Sequence, residues 1–282
     1  MKMLKLDVIG DPIDHSKSPL IHGTALDVLG ISYEYRKVRV EKGKLEDYIN
    51  EAKALGISGF NATMPHKVDI LPYLDYIDED AKRFNSVNTV HIKSGRLYGY
   101  NTDGKGFTYA MAELGVFAKD KNVVFIGAGG VVSTLALKME LEGAKSIIIL
   151  NRTLSAADSI ADKLNVPTQA LPLNAESLKI AASDCDILVN ATPLGMEGIG
   201  KDFEDLSFMD CLKCGALVYD LIYNPEETSF LKAAKNKGFT TLNGMGMLIY
   251  QGLLADEIFL EKKLDFAPIK EKIEIKLKNL KK

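Results

Sequence analysis

Tryptophan is absent from the 282 residues, and cysteine occurs only three times. A small, odd cysteine count excludes a disulfide framework and points to a reducing compartment, so the cytoplasm is the expected location. Cys211 and Cys214 form a Cys-x-x-Cys pair, but no second pair or nearby His completes a zinc set, and Cys185 lies in another segment. No metal is expected. No apolar run is long enough to span a bilayer, and Met1 to Gly10 runs into a strand pattern without a small-residue cleavage site, so neither an anchor nor a leader is expected. Charge of neither sign dominates: 35 Lys and Arg against 38 Asp and Glu leave a net −3, which speaks against a nucleic-acid binder. Repeats and low-complexity tracts are also missing. What remains, 46% hydrophobic and 26% charged, is an ordinary globular composition, long enough for one large or two moderate domains.

The most informative stretch that is present is Asn122-Val-Val-Phe-Ile-Gly-Ala-Gly-Gly-Val-Val-Ser133. It reads as a buried strand, a Gly-rich turn at Gly127, Gly129 and Gly130, and a helix. That layout brings backbone N–H groups and a helix N-terminus close to a pyrophosphate. The next apolar run, Ser146 to Thr153, ends at Asn151 and Arg152. An NAD enzyme would carry an acid there for the ribose 2′-hydroxyl; a cation and neutral hydrogen-bonders suit a 2′-phosphate, so NADP is favoured.

The pattern predicts an α/β protein of two parts. Strands at Leu4–Gly10, Tyr33–Val40 and Gly59–Met64 alternate with helices at Ser18–Gly30 and Leu45–Leu55. Val87–Ile92 and Arg96–Tyr100 flank Ser94-Gly95 as a hairpin. A doubly wound, Rossmann-like core follows, with strands near 122–127, 146–151, 186–191 and 216–222. The expected division is a substrate domain over 1–102, a dinucleotide domain over 103–239 and a helical segment over 240–282 that returns to the first domain. In that last segment Ile269, Ile273, Leu277 and Leu280 recur at helical spacing, as in a docked terminal helix.

Moving hydride between an alcohol and a ketone needs a group that handles the hydroxyl proton and groups that grip the rest of the substrate. A Tyr-x-x-x-Lys pair exists in Tyr33 and Lys37, but it sits on a strand before the cofactor core and is rejected. Polar residues gather instead at the ends of elements in the first hundred residues. Ser16 and Ser18 lie where a strand passes into a helix, a place suited to a carboxylate; alone, Ser18 before Pro19 reads as an ordinary helix cap. Asn61, Thr63 and Lys67 follow the strand at Gly59. Asn88 and Thr89, then Asn101-Thr-Asp-Gly104, mark further strand ends, and Asp103 alone would again read as a cap.

Taken together these segments resemble the shikimate dehydrogenase family. The matching pieces are Gly10-Asp-Pro-Ile-Asp-His-Ser-Lys-Ser-Pro19, Asn61-Ala-Thr-Met-Pro-His-Lys67, Val87-Asn-Thr89, Asn101-Thr-Asp-Gly104, Gly127-Ala-Gly-Gly130, Asn151-Arg-Thr153, Asn190-Ala-Thr-Pro-Leu-Gly-Met196 and Asn243-Gly-Met-Gly-Met247 with Gln251. They run in family order over nearly the whole chain. The resemblance implies reversible reduction of 3-dehydroshikimate to shikimate with NADP, in aromatic amino acid biosynthesis, by a monomer or homodimer with no nucleic-acid or membrane partner. It implies that Ser16 and Ser18 hold the substrate carboxylate, that Thr63, Asn88, Asp103, Tyr223 and Gln251 contact the ring hydroxyls, and that Asn61 also binds the substrate. Lys67 and Asp103 are the implied catalytic pair, with Lys67 either taking the proton or acting mainly as an electrostatic positioner. Gly127, Ala128, Gly129, Gly130 and Val131 with Asn151, Arg152 and Thr153 are the implied cofactor residues; Glu79, Leu221 and Gly244 match positions on its nicotinamide side.

Two departures stand out. Ala156 occupies a place where many members carry a second basic residue, which leaves 2′-phosphate binding to Arg152, Asn151 and Thr153. Leu221 stands where some members have Met, a mild apolar exchange. Two other readings stay open on the sequence: a quinate/shikimate dehydrogenase of broader substrate and cofactor use, and a catalytically silent NADP-binding sensor.

Overall fold

A computed structural model describes residues 3–279. The chain divides into two compact units, Met1–Gly106 with Ile249–Lys282, and Phe107–Leu248.

In chain order the first stretch forms β1 (Leu4–Gly10), α1 (Ser18–Val28), β2 (Tyr33–Arg39), α2 (Leu45–Ala54), β3 (Gly59–Ala62), α3 (His66–Asp69), β4 (Tyr76–Ile77), α4 (Glu79–Phe84), β5 (Thr89–Lys93), β6 (Arg96–Tyr100) and α5 (Asp103–Ala112). Its sheet has the order β2-β1-β3-β5-β6-β4. β1 runs parallel to β2 and β3, while β5 is antiparallel to β3 and to β6, the hairpin expected around Ser94-Gly95. Asp7 is fully buried in β1 and opposite Arg36 in the register. It survives burial because Arg36 grips both its oxygens at 2.8 and 2.9 Å and the Tyr48 hydroxyl donates at 2.9 Å. Ile9, Phe60, Val90 and Leu97 fill the core beside α2.

The second stretch forms β7 (Asn122–Ile126), α6 (Val132–Leu141), β8 (Ser146–Asn151), α7 (Leu154–Ala161), β9 (Thr168–Pro172), α8 (Ala175–Ala182), β10 (Ile187–Asn190), β11 (Leu217–Asp220), α9 (Ser229–Asn236) and β12 (Thr240–Leu242). The strands are all parallel, in the order β12-β11-β10-β7-β8-β9. That is the doubly wound dinucleotide-binding arrangement, with its switch point between β7 and β10. β7, β10 and β11 are buried throughout because helices cover both faces of such a sheet, which is why they read as unbroken apolar runs. β9 and β12, the two edge strands, escape the sequence reading: both are partly exposed, and β9 ends on Pro172, so neither is an apolar run.

α10 (Met245–Leu260) and α11 (Phe266–Asn279) close the chain. α11 packs on α1 with Ile269, Ile273 and Leu277 buried, so the terminal helix does return to the first unit. Leu280 lies outside the described residues. Among those described, no helix is long and apolar enough to cross a membrane, and no group of three His, Cys, Asp or Glu could hold a metal. Cys185 is buried, whereas Cys211 and Cys214 are exposed free thiols.

Candidate active site

Two short anchors bring Lys67 and Asp103 together within the first unit. Lys67 rides on α3, fixed to the entry of β5 by a bond from the Val87 N–H to the Lys67 carbonyl at 2.8 Å. Asp103 opens α5, where its N–H donates to Asn101 Oδ1 at 3.0 Å while Asn101 Nδ2 holds the Ser86 carbonyl at 2.9 Å. Asn101 thus takes the capping duty and frees the Asp103 carboxylate. Lys67 Nζ meets Asp103 Oδ2 at 2.6 Å, with the lysine side chain 30% exposed and the aspartate 9%. One ammonium hydrogen is committed to the carboxylate; two remain for a substrate oxygen.

Asn88 is the hub behind this pair. Its Nδ2 donates to Asp103 Oδ1 and to Thr102 Oγ1, each at 2.9 Å, and lies 3.5 Å from Gln251 Oε1. Its Oδ1 accepts from the Thr102 N–H and from the Thr89 hydroxyl, again at 2.9 Å. Asn61 Nδ2 reaches Thr89 Oγ1 at 3.2 Å, and Asn61 Oδ1 accepts from the Tyr35 hydroxyl at 2.7 Å. Four of the residues marked in the sequence for substrate, Asn61, Asn88, Asp103 and Gln251, therefore share one network with Lys67.

Ser18 is not the helix cap that its position before Pro19 suggests. α1 is capped at Lys17 without a side-chain bond, so Ser18 stands inside the first turn. Its N–H donates to Ser16 Oγ at 3.3 Å, which keeps the two serines adjacent. Thr63 lies on the turn between β3 and α3, partly exposed. Glu79 begins α4 as an exposed residue outside the network.

The second unit offers a different construction. Gly127 has φ +104°, and a Cβ there would meet Thr192 Cγ2 at 2.9 Å and the Ala191 carbonyl at 3.0 Å. Only glycine fits that turn. Past it the chain opens: a Cβ on Gly129 would find its nearest atom at 3.9 Å, and one on Gly130 would meet nothing within 4 Å. Val131 caps α6 without a side-chain bond. The Ala128 N–H donates to Asn151 Oδ1 at 3.2 Å, and Asn151 Nδ2 bonds the Thr153 carbonyl at 2.9 Å, so the tip of β8 is fastened to the glycine turn. Arg152 and Thr153 are exposed beside it. Open glycines at a helix start and a cation where an acid would otherwise stand fit a dinucleotide bearing a 2′-phosphate. Ser133 Oγ, buried without a partner in the first turn of α6, fits a missing polar group as well.

A third cluster, absent from the sequence reading, closes β11. Asp220 is fully buried with no cation beside it. Burial pushes its carboxyl up to about 6 against the pull of Thr228, Ile222 and Asn190. The Thr228 hydroxyl donates at 2.6 Å, Asn190 Nδ2 at 3.0 Å and the Ile222 N–H at 3.0 Å. This knot holds the turn that carries Leu221 and Tyr223. Gly244 seals it: a Cβ there would stand 2.0 Å from the Leu221 carbonyl oxygen, and its N–H donates to the Ile222 carbonyl at 3.0 Å. An acid ending an apolar run was the available signal for Asp220; for Tyr35 it was its place on the half-buried face of β2.

Comparison with known proteins converges on one family. Residues 8–90 match the shikimate dehydrogenase substrate binding domain, and residues 110–199 match the shikimate / quinate 5-dehydrogenase domain. A Methanococcus aeolicus protein, shikimate dehydrogenase (NADP(+)), is 43% identical over 269 residues, covering 95% of this chain and 96% of its own. The crystal structure of the Thermus thermophilus shikimate 5-dehydrogenase with NADP(H) and shikimate is 31% identical, with a TM-score of 0.84 over 96% of this chain and 99% of that one. A ligand-free 5-ketofructose reductase of a Gluconobacter strain is 34% identical, with a TM-score of 0.85 over 97% and 99%.

Proposed function

The chain belongs to the shikimate dehydrogenase family, and from that membership and its site geometry we infer that it is an NADP-dependent shikimate dehydrogenase, an oxidoreductase of aromatic amino acid biosynthesis. The observation that carries the reading is the Lys67–Asp103 pair at 2.6 Å, embedded in the Asn88 network with two ammonium hydrogens uncommitted. The broader quinate-using enzyme and the silent sensor are not favoured by the relatives, and the intact pair gives a sensor no account. The biosynthetic role suits the cytoplasm, and the enzyme acts on its small-molecule substrate as a monomer or homodimer.

Bound NADP supplies the hydride acceptor in one direction and the donor in the other. Ser16 and Ser18 hold the carboxylate of the substrate. Asn61, Thr63, Asn88 and Gln251 grip its ring hydroxyls, which fixes the reacting carbon. In the reducing direction Lys67 donates a proton to the carbonyl oxygen as negative charge builds there, and Asp103 keeps the ammonium aimed. In reverse, Lys67 takes the hydroxyl proton. Its partial exposure lets solvent restore the proton between turnovers. Gly127 to Val131 would receive the pyrophosphate on backbone N–H groups, Arg152 with Asn151 and Thr153 would take the 2′-phosphate, and Leu221 and Gly244 would stand on the nicotinamide side.

Initial rates of NADPH absorbance with shikimate, quinate and 5-ketofructose, each with NADP(H) and NAD(H), test the reading. Shikimate with NADP far ahead supports it. Turnover only with the keto-sugar, or with no substrate at all, contradicts it.

A further inference from the structure

His22 and Asp256 take no part in the roles assigned above, yet each stands on a helix that carries one. His22 follows Ser18 by four places on α1, and Asp256 follows Gln251 by five on α10, about 7.5 Å farther along the axis. Both side chains are sealed from solvent, and His22 Nδ1 lies 2.7 Å from Asp256 Oδ1. The other polar atom of each, His22 Nε2 and Asp256 Oδ2, is buried with no hydrogen-bond partner among the described residues. The one bond between them therefore answers for both groups. Burial pushes the Asp256 carboxyl up, and His22 pulls it back.

The two helices also meet closely beside this pair. Gly252 and Asp256, four residues apart, share one face of α10. A Cβ on Gly252 would stand 2.8 Å from Ile21 Cγ2 and 3.7 Å from His22 Nε2. Apolar contact of that kind is non-directional and does little to fix how far a helix has slid. A buried bond of 2.7 Å fixes it. His22 is held in turn, its ring stacked on Tyr35 with centroids 4.8 Å apart and planes 12° from parallel. Register matters at Gln251, whose Oε1 stands 3.5 Å from Asn88 Nδ2, whereas Thr102 and Asp103 meet the same nitrogen at 2.9 Å. That is the outer limit of a hydrogen bond, so about 0.3 Å of outward drift in α10 would undo it.

We propose that the His22–Asp256 pair is a positioning device that locks α10 against α1 and so keeps Gln251 in reach of Asn88 and the substrate. This rests on the shikimate dehydrogenase reading of the same site. A buried polar pair adds little stability over apolar side chains of the same shape; what it adds here is a single register.

His22→Phe combined with Asp256→Leu keeps a ring on Tyr35, keeps the volume, and leaves neither group buried unpaired. The expected result is a shikimate KM raised about fivefold with kcat within about twofold, the size of one lost hydrogen bond. The NADP KM and the melting temperature stay where they were. Asp256→Asn, which keeps an oxygen facing His22, holds the shikimate KM within about twofold of the parent. In a Gln251→Ala background the double replacement adds nothing, because its effect passes through that side chain. An unchanged KM, a rise of equal size without Gln251, or an Asp256→Asn variant as impaired as the double one would overturn the proposal. A double variant that fails to fold, or that melts lower and loses NADP affinity as well, makes the pair a stability element and overturns it too. A parent enzyme unable to turn over shikimate removes the functional reading and this proposal together; a normal parent beside an unaffected double variant removes the proposal alone.

Discussion

The residues meant for the substrate and those meant for the cofactor are built on opposite plans. In the first unit the site is side chains: Lys67, Asp103, Asn88, Thr89 and Asn61 satisfy one another in a single network at 2.6–3.2 Å. In the second it is backbone and missing side chains, with Gly127 wedged against Ala191 and Thr192 and Gly130 facing open space. The first plan is rigid and chemically specific, since each polar atom already has an orientation. The second recognises shape and charge, which is enough for a pyrophosphate. Damage should follow the same divide: loss of chemistry in one unit, loss of stability or cofactor affinity in the other.

The largest effect belongs to the side-chain plan. Lys67→Ala should lower kcat for shikimate by about 10³-fold or more, since it removes both the proton and the charge beside the forming oxyanion. A loss under tenfold would erase the division. The next falls on Asp220, whose carboxyl stands at about 6 in the folded chain against its ordinary 3.8. The folded state binds that proton more tightly, so its stabilising contribution is complete below pH 3.8 and fades as pH rises through about 6. The change amounts to about 3 kcal/mol. Urea unfolding of the parent and of Asp220→Asn from pH 4 to 7.5 should show the parent losing ground relative to the variant across that window, and parallel curves would refute the burial argument.

Smaller effects sharpen the backbone plan. Gly127→Ala forces a Cβ against the Ala191 carbonyl at a positive φ, and should cost about 2 kcal/mol of stability. Gly130→Ala should leave the melting temperature unchanged and still weaken NADP, because its side chain enters space meant for the ligand. If calorimetry finds both glycines equally costly, the open cradle is misread. Least in energy, Arg152→Ala should raise the NADP KM about tenfold and leave that for NAD nearly unchanged. Ala156 supplies no second cation there.

The sequence displays the fold wherever burial is continuous. β7, β8, β10 and β11 announce themselves as apolar runs, while β9 and β12 at the sheet edges do not, because half-exposed strands mix Thr, Gln and Pro into the pattern. The site is legible where residues share a short segment, as in Asn61 to Lys67 or Asn101 to Gly104. Tyr35 and Asp220 are hidden for one physical reason: their partners lie on other elements, Asn61 for the first, Asn190 and Thr228 for the second. No spacing in the chain encodes such meetings. Ser18 shows the converse, since a local rule predicts a cap there and the helix instead takes Lys17 as its cap, without a side-chain bond.

The divide between the two plans is tested most directly on one variant, Lys67→Ala, by titrating NADPH through the change in its own fluorescence and measuring shikimate turnover on the same preparation. The chain carries no tryptophan to confuse the signal. NADPH binding equal to the parent, with turnover all but abolished, is the result the account predicts. Binding lost together with turnover, or turnover retained, would contradict it.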